Sequence, residues 1–305
     1  MKDPGQGPGP SVGAKAGSRP RQAWLVETEG LVHIYKTVDL EVVALQGLDL
    51  RVAEGETIAI AGRSGSGKTT LMNILAGVEA PSAGRARVAG HDLSHMSESD
   101  REQYRRQVVG YLWQRSGINL WPELTAAENV QVPMLAERGN RTAASRRAHR
   151  LLDALGLKRH SDRRPAQLSS GDNERLALAV ALANQPRLLL ADEPTAELDG
   201  LTARALLADL AELLRELGTG AIMVTHDLQL ERYVDRVIHI RDGRTSTETR
   251  WVEQAGDVVA DELVILDRAG RLQLPRHLVE ELGLGERVRV RREGNSLRIL
   301  PREDG

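Results

Sequence analysis

Apolar residues along this chain fall into short dense runs separated by polar, glycine-rich breaks, and the spacing inside each run predicts its element. From Trp24 the stretches WLVETEGLVHIY and VVALQGLDLRV alternate apolar with polar positions, which predicts a half-buried antiparallel layer. Four continuous apolar runs are too short for helices: ETIAIA (Glu56 to Ala61), VVGYLWQ (Val108 to Gln114), RLLLADEP (Arg187 to Pro194) and GAIMVTHD (Gly220 to Asp227). They predict strands covered on both faces, as in a parallel sheet. Helical patterns lie between them. TLMNILAG (Thr70 to Gly77) ends at Gly77, MSESDREQYRRQ is charged and helix-prone, and the region from Ala126 to Gly156 carries Leu151, Leu152, Leu155 and Leu157 beside a solvated stripe of arginines. In LSSGDNERLALAVALANQP (Leu168 to Pro186), Ser169 or Ser170 caps an apolar helix that must stop before Pro186. VEAPSAGRARVAGHDLS reads as a short hairpin, RSGINLWPELTAAENV as a loop leading through Pro122 into a helix at Thr125, and VIHIRDGRTS as a closing hairpin.

The two ends differ from this α/β middle. Residues 1–22 are rich in glycine and proline with almost nothing to bury, which predicts a disordered tail before a domain over 23–250. Residues 251–260 (WVEQAGDVVA) read as a linker. In 261–305, two short strands flank DRAG, a Pro-started helix holding Leu278 and Leu282 ends at Gly283, and RVRVRR pairs with SLRILP across EGN. About 45 residues are too few to bury a self-standing core without a metal or disulfide, so this unit is predicted to be an intertwined dimer.

Composition narrows the picture modestly. A length of 305 residues suits about two domains, and a net charge of −2 argues against an overall nucleic-acid or anionic-membrane binder. Phe is absent while Ala, Arg and Leu abound, which reads as a coding bias. The lack of cysteine excludes disulfides, thiolate chemistry and cysteine zinc sites. No run approaches the ~18 apolar residues of a membrane span, and the first residues lack the core of a secretory signal, so a cytoplasmic chain is expected.

Chemistry concentrates at Gly62-Arg63-Ser64-Gly65-Ser66-Gly67-Lys68-Thr69, a full G-x-x-x-x-G-K-[ST] match between a predicted strand and helix. Its glycines let successive N–H groups turn inward on phosphate oxygens, and the helix N-terminus adds its positive end. Lys68 reaches for the β- and γ-phosphates, and the Thr69 hydroxyl suits Mg²⁺. Asp192 and Glu193 end a buried strand. Burying two acids together is costly, and a magnesium ion held by Asp192 resolves it, leaving Glu193 to orient and deprotonate an attacking water. Gln114, at another strand end, either ligates Mg²⁺ or orients water, or is a surface amide. His226 either senses the γ-phosphate or is structural, and Tyr35 either stacks on an adenine or is an ordinary strand tyrosine.

In this order the motifs resemble the ATP-binding cassette (ABC) ATPases over about Trp24 to Trp251. The likeness rests on an A-loop-like Tyr35, the Walker A loop at 62–69 with Thr70 following, a Q-loop Gln114 and a signature-like LSSGD at 168–172. A Walker B LLLADE at 188–193, a D-loop ending at Asp199 and a switch His226 complete it. The resemblance implies a P-loop fold with a RecA-like core, an antiparallel layer and a helical subdomain. It also implies two domains head to tail, so that Ser169, Ser170, Gly171 and Asp199 of one copy serve ATP and Mg²⁺ on the other. The wording VVALQGLDL, TLMNILAG and LTAAENVQVPML looks closest to the lipoprotein-release and macrolide-export branch, which implies an ATPase that energises a separate multi-span permease from the inner face of the plasma membrane. A soluble ABC protein of translation or repair generally carries two cassettes, and this chain has one P-loop. Where the family usually reads LSGGQ, Ser170 and Asp172 differ. Asp172 either lies near a phosphate, where it would slow closure, or faces the ribose, or sits in the first turn of its own helix. LDRAGRLQLPRHLVEELGLGERVRV resembles the AbrB-like swapped-hairpin family, which implies dimerisation and leaves an ATP-responsive DNA-binding regulator as the alternative. Nine arginines against ten acids from Asp257 onward make nucleic acid an unlikely partner.

Overall fold

An antiparallel pair, β1 (Trp24–Lys36) and β2 (Glu41–Ala53), begins the described chain. The computed structural model describes residues 24–36, 40–114, 116–135, 140–225, 232–254 and 257–301. The predicted disordered tail, 1–22, lies outside them. After the pair come β3 (Thr57–Ala61), α1 (Lys68–Leu75), β4 (Ala83–Val88), β5 (His91–Asp92), α2 (Glu98–Gln107) and β6 (Val109–Leu112). The helical part holds α3 (Ala126–Leu135), α4 (Arg141–Ala154) and α5 (Ser170–Ala181). Then follow β7 (Leu188–Asp192), α6 (Gly200–Leu217), β8 (Gly220–Val224), β9 (Arg236–Arg241) and β10 (Arg244–Gln254). The chain closes with β11 (Asp257–Val264), α7 (Arg276–Glu281), β12 (Val288–Glu293) and β13 (Ser296–Pro301).

The central sheet has the order β11-β10-β9-β3-β8-β7-β6, parallel from β9 to β6. Successive strand residues face opposite sides, and here both sides are covered. Ile58 and Ile60 of β3, Leu188 and Leu190 of β7, and Ile222 and Val224 of β8 join α1 and the antiparallel layer β2-β1-β4-β5 in one core. Their neighbours Ala59, Leu189, Ala191, Ala221 and Met223 join α3 to α6 in the other. That double burial is why these runs are unbroken by polar residues.

Helix ends follow their side chains. Ser169, not Ser170, is the N-cap of α5, accepting from the Asp172 amide, and Asn140 caps α4. Thr125 and Glu128 exchange amide bonds at the start of α3.

The described part of the expected linker, 251–254 and 257–260, is strand instead. β10 and β11 pair in register from Thr247↔Val264 to Gln254↔Asp257 and extend the central sheet by two antiparallel strands. Trp251 packs against the helical-side core, and Arg236, buried at the start of β9, bridges Glu56 (2.6 Å) and Glu248 of β10 (2.7 Å). A buried arginine needs both carboxylates, which fixes β10 in the sheet. After DRAG the expected strand is also absent: the Asp267 carboxylate accepts from the Ala269 and Arg271 amides and closes a turn, and 271–274 are not strand. Among the described residues, a few polar groups hold the last unit to the rest. Arg268 pairs with Glu29 (2.9 Å) and Asp49 (3.5 Å), Arg244 pairs with Asp267, and Arg241 donates to the Leu274 carbonyl (3.2 Å). β12 and β13 form an isolated hairpin with Leu266, Leu282, Val290 and Leu297 each more than half exposed around it.

Candidate functional site

Between β3 and α1 the loop 62–67 turns sharply enough to require glycine. Gly67 sits at φ 100° as the N-cap of α1, where a Cβ would lie 2.5 Å from the Ala44 carbonyl oxygen. A Cβ on Gly62 would lie 2.4 Å from the Ile240 oxygen. The loop is therefore wedged between β2 and the end of β9, and its amides are fixed before anything binds.

Lys68 is buried, and its Nζ donates to the Gly62 (2.7 Å) and Arg63 (3.0 Å) carbonyls of its own loop. Burial pulls its pKa down, while first Glu193 and then Asp192 push it back up. Burial outweighs the two acids, so the pKa falls overall, and the ammonium shares its cleft with both carboxylates.

Those acids close the C-terminal end of β7, where a parallel sheet collects its ligands. Asp192 is buried, and Glu193 has left the strand at φ 53°, its amide donating to the Val224 carbonyl (2.8 Å). A left-handed conformation in a residue with a side chain is a local strain held by its surroundings, and it turns the carboxylate of Glu193 out of the strand line.

One cleft of about 380 Å³ brings together Tyr35, Ser64, Gly65, Gly67, Lys68, Thr69, Thr70, Gln114, Asp192 and Glu193. Val42, Val43 and Ala44 of β2 add an apolar wall that sequence reasoning missed; two adjacent valines breaking strand alternation are the available signal. The Tyr35 hydroxyl lies 3.3 Å from the Thr70 hydroxyl and donates to Glu79 (2.8 Å), with burial raising its pKa. Thr69, Gln114 and Asp192 are all oxygen donors, the set a hard cation such as Mg²⁺ takes.

The remaining candidates are elsewhere. Gly62, Arg63 and Ser66 face a second cavity behind the loop, shared with Arg241, Arg276 and His277. Ser170 opens onto a separate hollow with Pro165, Asn173 and Glu197. Gly171 packs against α6, where a Cβ would meet Thr202 at 3.0 Å, and Asp199 caps that helix through the Leu201 and Thr202 amides and the Thr202 hydroxyl. Asp172 sits in the first turn of α5, its carboxylate 3.4 Å from the Ser169 amide and 3.5 Å from His160. His226 lies outside the described residues.

A strand, a glycine loop whose lysine faces a strand-end Asp-Glu pair, and a helix define a P-loop nucleoside triphosphatase. The ABC transporter family model matches residues 45–196. The chain is 42% identical to lipoprotein-releasing system ATP-binding protein LolD 2 of Caulobacter vibrioides over 70% of its own length and 93% of that protein. It is also 42% identical to macrolide export ATP-binding/permease protein MacB of Sodalis glossinidius, over 74% of this chain and 34% of that longer one. Among solved structures, a dimeric post-hydrolysis state of the ATP-binding cassette MJ0796 bound to ADP and Pi aligns at 34% identity and a TM-score of 0.68. It covers 74% of this chain and 98% of that one. The chain belongs to the ATP-binding subunits of the ABC transporter family.

Proposed function

We propose that this chain hydrolyses ATP, with Mg²⁺, to energise a separate membrane permease, and that two copies enclose each nucleotide head to tail. One observation carries the reading. The phosphate loop, Tyr35, Gln114, Asp192 and Glu193 share a cleft, whereas Ser170 opens onto another hollow of the same chain. A second copy supplies the half that each cleft lacks.

In this mechanism the adenine lies on the Tyr35 ring, and the amides of the loop and of the first turn of α1 receive phosphate oxygens. Lys68 exchanges its two loop carbonyls for β- and γ-phosphate oxygens. Thr69, Gln114 and Asp192 hold Mg²⁺, which when bound neutralises charge on those oxygens. Glu193 takes a proton from the water that adds to the γ-phosphorus while the bond to the β–γ bridging oxygen breaks and ADP leaves. By resemblance to the family, His226 serves as the switch residue that senses the γ-phosphate. Ser169, Ser170, Gly171 and Asp199 act on the partner's nucleotide. Ser170 is the first helical residue of α5 and is not among the left-handed positions, so it replaces a glycine without strain. The Asp172 carboxylate is engaged at its own helix terminus, which supports an active enzyme despite the altered signature.

The last unit acts as an AbrB-like swapped dimer that tethers two cassettes. Its exposed Leu266, Leu282, Val290 and Leu297 and its lone hairpin support a second copy as the cover, since a two-stranded hairpin is marginal alone. A short tether raises the mutual concentration of the cassettes toward the millimolar range, about the strength of a weak interface. No helix among the described residues is long and apolar enough to cross a membrane. Ile118 and Trp121, 68% and 59% exposed ahead of α3, suit contact with the permease at the cytoplasmic face.

Purified protein should hydrolyse ATP in a magnesium-dependent way and co-purify with a multi-span membrane protein. Absence of affinity for magnesium-ATP, or a strictly monomeric Glu193→Gln chain at saturating nucleotide, overturns the proposal. Salt-sensitive, sequence-dependent DNA binding would favour the regulator instead.

A further inference from the structure

Tyr35 is held by more than its strand. Its hydroxyl donates to Glu79 Oε2 (2.8 Å), and the same oxygen lies 3.1 Å from His33 Nε2. The other carboxylate oxygen of Glu79 accepts from the Asn73 amide on α1 (3.0 Å). The His33 ring meets the Tyr35 ring edge-on at 4.6 Å between centroids, and His33 is itself buried. The tyrosine is fixed at its tip and along one edge, yet the residue remains 38% exposed and lines the cleft.

We propose that Glu79 is a positioning residue for base binding: it clamps Tyr35 in the attitude that receives the adenine and ties that attitude to α1, whose first turn carries the phosphate-binding residues. The inference rests on the reading of Tyr35 as the base platform. An aromatic ring free to rotate must be immobilised when a ligand stacks on it, and the clamp removes that cost beforehand. Glu79 lies 44 residues from Tyr35 in the chain, on the turn just after α1, so the base and phosphate ends of the cleft share one carboxylate.

Calorimetry of the full chain with magnesium-ATP and with magnesium tripolyphosphate separates the base from the phosphates. Tyr35→Phe keeps the ring and removes the clamped hydroxyl, and Glu79→Ala removes the clamp itself. Both should weaken magnesium-ATP about two- to ten-fold, the scale of one freed side chain, and leave tripolyphosphate unchanged. Glu79→Gln, which keeps an acceptor, should restore most of the loss, and Glu79→Ala added to Tyr35→Ala should weaken ATP no further. Parental ATP affinity in Tyr35→Phe overturns the clamp. So does an equal loss for both ligands in Glu79→Ala, which would make Glu79 a support for α1 alone. Should Tyr35→Ala leave the ATP-to-tripolyphosphate ratio unchanged, stacking itself fails and takes the clamp with it.

Discussion

Replacing Glu193 by glutamine exchanges one oxygen for an amide nitrogen at constant volume, on a backbone already turned to φ 53°. The cleft keeps its shape, and what is lost is the ability to accept a proton. General-base catalysis contributes on the order of 10²–10⁴ in rate, so the barrier should rise by about 3–5 kcal/mol. Binding should respond in the opposite sense. Of the two carboxylates whose field favours protonated Lys68, Glu193 exerts the larger effect, and it lines the cleft proposed for the triphosphate. Removing its charge lowers repulsion toward the γ-phosphate, so magnesium-ATP should bind at least as tightly as to the parent. Steady-state phosphate release and calorimetry on the same preparation read both quantities. Glu193→Gly isolates the backbone. Glycine relieves a left-handed conformation costing roughly 1–2 kcal/mol but gives back about 0.5–1 kcal/mol in unfolded-chain entropy, so the melting temperature should stay within a few degrees while hydrolysis disappears. A Glu193→Gln protein turning over at more than about a tenth of the parental rate refutes the base assignment. Loss of ATP affinity in step with rate would instead make the residue a ligand.

Ending the chain after Ile265 keeps β11 paired, and such a protein should stay folded and lose ATPase activity mainly at low protein concentration; a loss independent of concentration would contradict the tether. Ending it before Asp257 strips β10 of its outer partner, leaving it paired with β9 alone, and should lower the melting temperature, as thermal denaturation would record. Gly67→Ala drives a Cβ into the Ala44 carbonyl and should abolish nucleotide binding in a filter or calorimetric assay. The Asp199 carboxylate is held below the usual aspartate range, chiefly by the Thr202 hydroxyl and amide. With the folded pKa depressed, its capping of α6 is complete above the ordinary aspartate value and fades as pH falls through the folded one. The melting-temperature gap between parent and Asp199→Ala should therefore persist to the ordinary aspartate value and close only at more acid pH.

Much of this architecture is written locally. The phosphate loop, the strand-end acids and the serine cap of α5 each announce themselves within about ten residues, because loop curvature, double burial and helix termini demand particular residue types at particular spacings. What depends on distant partners was hidden. WVEQAGDVVA reads as a linker because small and polar residues interrupt it, yet its strands are held by Trp251 and by Arg236, whose partner Glu56 is 180 residues away in the chain. Nothing around Tyr35 announced Glu79. Asp172 had three readings until the fold set it beside Ser169 and His160.

Because Lys68 and Ser170 open onto different hollows, damage at one leaves the other sound. In the proposed head-to-tail pair, a lysine-defective chain and a serine-defective chain should each form only inactive sites on their own. Expressed in one cell, their mixed pairs should join the healthy lysine of one product to the healthy serine of the other, and ATPase activity should partly return. Genetic complementation between two alleles of a single gene thus becomes a direct reading of how the site is shared.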